Sequence, residues 1–277
     1  MARPSLTGVE TIGFVGSGNM AEALIKGIIS AGVYRPECIF ISDVRPERLK
    51  QLAEKYNVMA VESNGELAGR VDTVVLSVKP QNMAEALESI KDAVGGDKLV
   101  ISIAAGVRTA NIAAVLGDAA IVRVMPNTPA LIGEGASALF ATAKAKPMLE
   151  AAKAIFSAVG QAVVVDDEDL IDAVTAVSGS GPAYYFLLME EMIKAAVELG
   201  LPEKVAKDLV LQTAKGAALL AAEADKNNEG VGELRRKVTS PGGTTEAALK
   251  VLADGQFGPL ITKAIKKAQN RSTGLSK

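Results

Sequence analysis

The chain has 277 residues, of which 49% are hydrophobic and 22% are charged, and its formal net charge is -2. These values suit a globular protein of one large or two modest domains, and the absence of a basic excess argues against a nucleic-acid partner. No apolar run reaches the roughly 18 residues of a membrane span. Residues 1–10 lack the apolar segment of a signal peptide, so we expect a cytoplasmic protein without membrane contact.

The sequence contains no histidine and a single cysteine, Cys38. This composition excludes Ser-His-Asp and Cys-His catalysis, every histidine-ligated metal site and imidazole as an acid–base group. It also excludes an intramolecular disulfide and a cysteine-rich zinc site, so we predict no metal site. Cys38 lies in an apolar run, which favours a buried strand residue over a reactive thiol. Hydroxyls, amines, carboxylates, the backbone or a cofactor must therefore carry any chemistry.

The first half of the chain alternates between predicted strands and helices. Short apolar runs predict strands at residues 11–15, 38–41, 74–78, 99–103, 120–124 and 162–165. Apolar residues at helical spacing predict helices at residues 21–31, 46–56, 83–94 and 148–159. Continuous apolar strands between helices are typical of a parallel sheet that is covered on both faces. We therefore expect an α/β domain with a mostly parallel sheet in residues 1–165.

Beyond residue 166 the strand signals stop, and we expect an all-helical domain in residues 166–277. The predicted helices cover residues 169–177, 183–199, 203–224, 244–252 and 259–268. The third of them carries apolar or small residues around much of its circumference, namely Leu209, Ala214, Gly216, Ala217, Leu220 and Ala221. Such a helix has to be buried on more than one side, either at the centre of its own domain or in a homo-oligomer.

A dinucleotide fingerprint follows the first predicted strand. The residues that match the pattern G-x-G-x-x-G/A are Gly16, Ser17, Gly18, Asn19, Met20 and Ala21. Gly16 permits a tight turn, Gly18 lets the backbone approach a pyrophosphate, and Ala21 permits close packing of the helix on the strand. The helix N-terminus then offers free N–H groups to the phosphates. A glycine-rich turn that binds nothing is the alternative, but the strand–turn–helix context favours a Rossmann-like NAD(P) site.

The residues after the second predicted strand bear on the choice between NAD and NADP. An acid in this place bonds the adenine-ribose 2′-hydroxyl and favours NAD, whereas arginine accommodates the 2′-phosphate of NADP. The chain has both, because Ser42 ends the strand, Asp43 follows it, and Arg45 and Arg48 come next. Ser42 stands where the discriminating acid usually lies, which favours NADP(H), with NAD(H) as the alternative. The alternative interpretation of the two arginines is that they lie at a solvent-exposed helix start and contact only water.

Three further strand ends carry candidate cofactor contacts, since the ligands of an open parallel sheet lie beyond the carboxyl ends of its strands. The first two of these segments are Ser77, Val78, Lys79 and Pro80, and Ala104, Ala105 and Gly106. Two interpretations of Lys79 are equally good: it contacts the ribose or a phosphate of the cofactor, or it is a surface lysine before a turn. Asn127 lies in the third segment, residues 123–129, which we expect to approach the nicotinamide.

Two motifs rich in glycine and hydroxyl residues precede helices of the second half. Residues 178–182 read Ser-Gly-Ser-Gly-Pro, which fits a hinge and a helix cap except for the number of glycines. The other motif consists of Val238, Thr239, Ser240, Pro241, Gly242, Gly243, Thr244 and Thr245. Its hydroxyls and backbone N–H groups converge on one helix N-terminus, an arrangement that can bind a carboxylate. One Ser or Thr would suffice as a cap, so we favour a site for a substrate anion.

These motifs together resemble the pyrroline-5-carboxylate reductases, and the resemblance extends over nearly the whole chain. It rests on residues 15–21, 78–80, 104–106, 125–129, 169–175, 178–182 and 238–245, the last two of which are specific to that family. The resemblance implies NAD(P)H-dependent reduction of 1-pyrroline-5-carboxylate to L-proline, the last step of proline biosynthesis. It also implies a helical dimerisation domain, a homodimer or a larger homo-oligomer such as a decamer, and an active site completed by the partner's helices.

The resemblance also implies roles for individual residues. Thr245 is similar to the family's catalytic-site threonine, which lies within reach of the imine nitrogen. The residues similar to substrate-binding positions are Val238, Ser240, Gly242, Gly243 and Thr244. The residues similar to cofactor-binding positions include Val15, Asn64 near the adenosine ribose, and Glu168. The chain departs from the family at Gly230 and Val231, where many members carry His-Pro, and at Lys237, where some carry asparagine.

The implied chemistry suits a chain without histidine, because the cofactor supplies the hydride and the protein supplies orientation and electrostatics. The Thr245 hydroxyl is a weak acid, so we assign it hydrogen bonding and proton relay. A β-hydroxyacid dehydrogenase is one alternative, but that family expects a lysine four residues after Gly181, where Tyr185 stands. A non-catalytic nucleotide-sensing module is the other, and it would have little use for a hydroxyl-rich anion site.

Overall fold

The computed structural model describes residues 11–275, so the prediction that concerns residues 1–10 lies outside the described residues. The chain forms two compact units. The first contains the described residues up to Pro182 and those from Lys267 onward, and the second is Ala183–Lys266.

The strands of residues 11–275 form one sheet in the order β3-β2-β1-β4-β5-β6-β7-β8. They are β1 Ile12–Val15, β2 Ile39–Ser42, β3 Met59–Ala60, β4 Thr73–Leu76, β5 Leu99–Ser102, β6 Ala120–Met125, β7 Gly135–Ala141 and β8 Gly160–Val164. Neighbouring strands are parallel except for β6 and β7, which are antiparallel. The strand order reverses between β1 and β4, which is where open sheets of this kind bind ligands. The predicted Rossmann-like, mostly parallel sheet is confirmed.

Helices cover both faces of this sheet in the first unit. They are α1 Asn19–Ser30, α2 Pro46–Tyr56, α3 Asn64–Arg70, α4 Met83–Ile90, α5 Thr109–Leu116, α6 Leu149–Ser157 and α7 Leu170–Val174. Successive strand residues point to opposite faces, so Phe14 packs in one cluster with Leu24 of α1, and Val15 packs in another with Leu87 of α4. Both clusters are buried, which explains why the strands read as continuous apolar runs rather than alternating ones.

The second unit is helical throughout its regular structure, as expected for the predicted all-helical C-terminal domain. The remaining α-helices within residues 11–275 are α8 Gly181–Glu198, α9 Glu203–Asp225, α10 Val231–Lys237, α11 Thr244–Asp254 and α12 Phe257–Leu275. On α9, Leu209 and Leu220 are 55% and 57% exposed in the single chain, which favours the homo-oligomer interpretation of this helix. No helix among residues 11–275 is long and apolar enough to cross a membrane.

Several local elements differ from the predictions. Strand β7 reads Gly-Ala-Ser-Ala-Leu-Phe-Ala, and its small residues have low strand propensity, so no strand was expected there. Cys38 lies in the 3-10 turn Pro36–Cys38 and is half-buried, which corrects its predicted place within the second strand. The short helices α3, α5 and α10, of 7, 8 and 7 residues, were also not predicted.

A charged cluster holds α1 against α2. The Glu22 carboxylate accepts hydrogen bonds from Arg48 at 2.5 Å, Lys55 at 2.9 Å and the Tyr56 hydroxyl at 2.9 Å. Burial alone would raise the pKa of Glu22, but these three donors outweigh it and lower the pKa from 4.5 to about 2. The carboxylate is therefore ionised at neutral pH.

This cluster predicts an acid-dependent loss of stability that Glu22→Gln would remove. Because the folded pKa lies below the unfolded one, the stabilisation is complete above pH 4.5 and is lost as the pH falls toward about 2. With allowance for solvent screening, we expect the wild type to exceed the variant in unfolding free energy by about 1–2 kcal/mol at pH 7, and by less at pH 3.5. Urea unfolding at both pH values measures this difference. A difference that is the same at both pH values would contradict the prediction.

Candidate active site

The glycine-rich turn between β1 and α1 is tightly built. Gly16 has a φ of 86°, and its N–H donates to the Ser42 carbonyl at 2.9 Å. A Cβ at Gly16 would lie 2.9 Å from Cγ1 of Val78, so glycine is required here both for conformation and for space. The Ser77 hydroxyl donates to the Gly16 carbonyl at 2.5 Å and thereby joins the end of β4 to the turn. The predicted cofactor candidates that follow β1 and β4 are thus neighbours.

Gly18 occupies an open position in the same turn. A Cβ built on it would meet no atom of residues 11–275 within 4 Å, whereas Ala21 is buried against the sheet. The first amides of a helix have no partners within the helix, and Gly18 supplies no side-chain acceptor to α1. Asn19 is exposed and Met20 is half-buried at the start of that helix. Open space in front of free amides fits a dinucleotide pyrophosphate, so the residues present suit this cofactor.

Asp43 organises the end of β2. Its carboxylate accepts hydrogen bonds from the Ser17 N–H at 2.8 Å and from Nε of Arg45 at 2.8 Å. Burial would raise the pKa of Asp43, but the bonds from Arg45 and from the backbone outweigh it and hold the pKa below its ordinary value. The same pairing raises the pKa of Arg45. An ionised acid and an exposed arginine therefore stand side by side next to the glycine turn, where the adenosine ribose is expected.

The other predicted residues near the ribose are joined by hydrogen bonds. The Ser42 hydroxyl donates to Oδ1 of Asn64 at 2.8 Å, and the Asn64 amide donates to the Ser89 hydroxyl at 3.0 Å. Arg48 is directed elsewhere, because its Nε donates to the Ser17 carbonyl at 2.8 Å and its Nη2 donates to Glu22. Of the two arginines considered for a 2′-phosphate, Arg45 is the exposed one.

The remaining cofactor candidates lie at strand ends of the first unit. Lys79 and Pro80 are exposed beyond β4, and Val78 is half-buried behind the glycine turn. After β5, Ala104 is buried and Ala105 is half-buried. The next residue, Gly106, turns with a φ of 73°. Since β1, β4 and β5 are adjacent parallel strands, these segments share the carboxyl edge of the sheet with the glycine turn.

Asn127 and Glu168 both serve as connectors. The Asn127 amide lies 3.3 Å from the Ser178 carbonyl, and its Oδ1 accepts from the Ala136 N–H at 2.8 Å. Glu168 accepts hydrogen bonds from the N–H of Thr109 at 2.8 Å, from its hydroxyl at 2.7 Å and from Arg123 at 3.1 Å. A direct contact of either residue with the cofactor stays a prediction.

The hydroxyl-rich motif of the second unit forms the turn between α10 and α11. Gly242 has a φ of 69°, and its N–H donates to Oε2 of Glu246 at 2.7 Å. Gly243 precedes α11 in an extended conformation and supplies no side-chain cap. The hydroxyls of Ser240, Thr244 and Thr245 bond to none of the described residues. Together with the first amides of α11 they can bind a carboxylate. Val238 is exposed at the start of this turn.

Sequence reasoning missed the ionic role of Arg123 and Asp172. Arg123 is only 1% exposed, and Asp172 is 4% exposed. Nη2 of Arg123 lies 3.5 Å from Oδ1 of Asp172. The signal that would have found this pair is the single charge within the apolar strand Ala120–Met125, since a buried charge requires a partner elsewhere in the fold.

Two family models match the chain. Residues 168–275 match a model described as pyrroline-5-carboxylate reductase dimerisation. Residues 11–106 match a model described as NADP oxidoreductase, coenzyme F420-dependent. The pyrroline-5-carboxylate reductase of Pseudomonas aeruginosa is 46% identical over 267 residues, which cover 96% of this chain and 96% of that protein.

Solved structures agree with the sequence relatives. A pyrroline-5-carboxylate reductase from Coxiella burnetii superposes with a TM-score of 0.90 at 42% identity, covering 97% of this chain and 99% of that one. A pyrroline carboxylate reductase from Plasmodium falciparum, solved with NADP bound, superposes with a TM-score of 0.85 at 32% identity. That match covers 96% of this chain and 98% of the other.

Substitution by alanine is expected to change cofactor binding at Gly18 and stability at Gly16. In Gly18→Ala the new Cβ meets no described atom, so we expect unchanged stability but a KM for NADPH about tenfold higher or more, because the pyrophosphate loses its approach to the backbone. In Gly16→Ala the positive φ and the contact with Val78 should instead lower the unfolding free energy by about 1–3 kcal/mol. Thermal unfolding and NADPH titration distinguish the two. Wild-type NADPH affinity in Gly18→Ala would rule out a pyrophosphate at this position.

Proposed function

The chain belongs to the pyrroline-5-carboxylate reductase family, and from this premise we propose which of its residues perform the reaction. It is an oxidoreductase that reduces 1-pyrroline-5-carboxylate to L-proline with NAD(P)H. The full-length relationship to the Pseudomonas aeruginosa enzyme is the single observation that carries this assignment. It also favours the reductase over the β-hydroxyacid dehydrogenase and the nucleotide-sensing module.

We propose that the turn around Gly16 and Gly18 holds the pyrophosphate of the cofactor. Support comes from the open space at Gly18 and from the uncapped first turn of α1. The adenosine ribose would lie beside Asp43 and Asn64, with the 2′-phosphate of NADP on Arg45, whose guanidinium is exposed. The bound dinucleotide supplies the hydride that becomes a C–H bond of proline. NADP(H) is the favoured cofactor and NAD(H) is also accepted.

We propose that the turn between α10 and α11 binds the substrate carboxylate. Its support is the free hydroxyls and amides at an uncapped helix N-terminus, where the helix dipole favours an anion. Thr245 would donate a hydrogen bond to the imine nitrogen and relay the proton that this nitrogen keeps in proline. A threonine hydroxyl is too weak an acid to donate outright, so the proton comes from solvent through this hydroxyl. The cyclic iminium is then ready to accept a hydride.

The chain forms a homo-oligomer through its dimerisation segment, residues 168–275. We propose a homodimer or a larger homo-oligomer such as a decamer, in the cytoplasm, in which the partner's helices complete each active site. We also propose a functional boundary near residue 166, with residues 1–165 for the cofactor and 166–277 for substrate and dimerisation. Support for the boundary is the end of the strands at β8 and the start of the matched dimerisation model.

The first experiment is to follow NADPH absorbance with 1-pyrroline-5-carboxylate as substrate, and then to repeat it with NADH. We expect rapid oxidation that depends on the substrate and a higher kcat/KM with NADPH. β-Hydroxyacids tested in the reverse direction with NADP should give no reaction. A folded protein that oxidises neither cofactor would overturn the assignment.

Removal of the Thr245 hydroxyl is expected to impair turnover. In Thr245→Ala we expect kcat to fall by about 10²–10³-fold, the scale of losing one positioned polar group. Thr245→Ser retains the hydroxyl and should keep most of the activity, so it is the matched control. Steady-state kinetics at saturating NADPH measure the effect. Equal kcat values for Thr245→Ala and the wild type would reduce Thr245 to a helix-start residue.

Asp43 is expected to determine how well NADH is used. In Asp43→Asn the charge that would accept the ribose 2′-hydroxyl and repel a 2′-phosphate is gone, and Arg45 loses its ionic partner. We expect the ratio of kcat/KM for NADPH over NADH to rise roughly tenfold, the scale of one hydrogen bond to a charged group. Glu47→Gln, at a nearby exposed acid, should leave the ratio unchanged. A ratio equal to that of the wild type in Asp43→Asn would place the ribose elsewhere.

A further inference from the structure

Three contacts from distant parts of the chain converge on the segment after β5, residues 103–109. Glu168 binds both the N–H and the hydroxyl of Thr109, at 2.8 and 2.7 Å. Asp169 forms an ion pair with Arg108. The third contact is made by Leu275, which lies so close to Gly106 that a Cβ on the glycine would be 2.8 Å from the leucine Cβ. The conformation of this segment therefore depends on residues far along the chain.

The contacts that Glu168 and Asp169 make with this segment depend on Arg123. Its Nη1 donates to Glu168 at 3.1 Å, and its Nη2 faces Asp172 at 3.5 Å. Nε and Nη2 have no hydrogen-bond partner within the described ranges, so the guanidinium relies on these two carboxylates for compensation of its charge. A buried cation of this kind fixes the positions of its counterions, because moving either of them away is costly.

The contact between Leu275 and Gly106 depends on Asp172. Oδ1 of Asp172 accepts a hydrogen bond from the Ser272 hydroxyl at 2.7 Å, and Oδ2 accepts one from the Thr273 hydroxyl at 3.1 Å. Ser272 is 3% exposed, although it stands only three residues before Leu275, the last described residue of α12. The two hydroxyls hold the final turn of α12 on the first unit and keep Leu275 at Gly106.

We infer that the final turn of α12, residues 272–275, is a positioning element for the cofactor, with Ser272 as its anchor. The inference rests on the proposed function in one respect, namely that Ala104, Ala105 and Gly106 line the dinucleotide. Helix ends fray unless they are held. When the turn frays, Leu275 leaves Gly106 and the segment gains freedom that cofactor binding must remove again. Fraying of this turn should therefore weaken cofactor binding and leave the rate of the chemical step unchanged.

The test is Ser272→Ala in the full-length protein, with Ser272→Thr as the variant that keeps the hydroxyl and Asn270→Ala as an exposed control in the same helix. We expect the KM for NADPH to rise about 3–10-fold in Ser272→Ala, the scale of one hydrogen bond. The kcat at saturating NADPH and the KM for 1-pyrroline-5-carboxylate should stay within twofold of the wild type. Ser272→Thr should restore the KM for NADPH, and Asn270→Ala should not change it.

Hydrogen exchange of the cofactor-free protein tests the structural step separately. Amides of residues 103–116 should exchange faster in Ser272→Ala, while those of β1 and α1 should exchange as in the wild type. Thr273→Val, which removes the second bond to Asp172, should act in the same direction and serves if Ser272→Ala does not fold.

The possible failures are distinguishable. Faster exchange with an unchanged KM for NADPH would overturn the positioning role, and so would equal exchange in all variants. A lower kcat, a higher KM for both substrates and a lower thermal stability, all occurring together, would also overturn it. A general structural defect would then explain the data. A wild-type protein that does not bind NADPH would instead overturn the proposed cofactor site.

Discussion

The buried guanidinium of Arg123 is the constraint on which the assembly of the first unit depends. A charge removed from water costs several kcal/mol unless partners compensate it, and here the partners are Glu168 and Asp172. Both carboxylates come from the short stretch that follows β8, so the chain has to return to β6 after it leaves the sheet. That return brings Glu168 to the start of α5 and presents Asp172 to the final turn of α12. One buried cation thus coordinates segments that are remote in sequence.

The two proposed ligand sites use the same physical device in different units. Helix α1 follows Gly18 and helix α11 follows Gly243, and both glycines are extended and provide no side-chain cap. Helix α3 shows the contrast, because the Ser63 hydroxyl accepts a hydrogen bond from Glu66 and closes its first turn. A capped helix satisfies its own amides, whereas an uncapped one leaves them for an external anion. Gly18 and Gly243 therefore leave the first amides of α1 and α11 open to an external anion.

The features that the sequence predicted are those encoded over short distances. The apolar strands, the fingerprint after β1 and the hydroxyl-rich turn before α11 each depend on neighbouring residues, and the family resemblance rests on the same motifs. Strand β7 was missed because its pairing with β6 and β8, rather than its own residues, stabilises it. The role of Glu168 at Thr109, 59 residues away, has no local signal. The apolar strand around Arg123 indicates that acidic partners must exist, but which residues they are depends on the tertiary fold.

The bond between Asp172 and Ser272 joins two residues of the first unit that are 100 positions apart in the sequence. Protein synthesis proceeds from the N-terminus, so a nascent chain can form the sheet and its covering helices while the final turn of α12 is still inside the ribosome. During that interval Asp172 lacks the two hydroxyls, and Gly106 lacks the leucine that packs on it. The first unit therefore reaches its finished form only after residues 272–275 have left the ribosome.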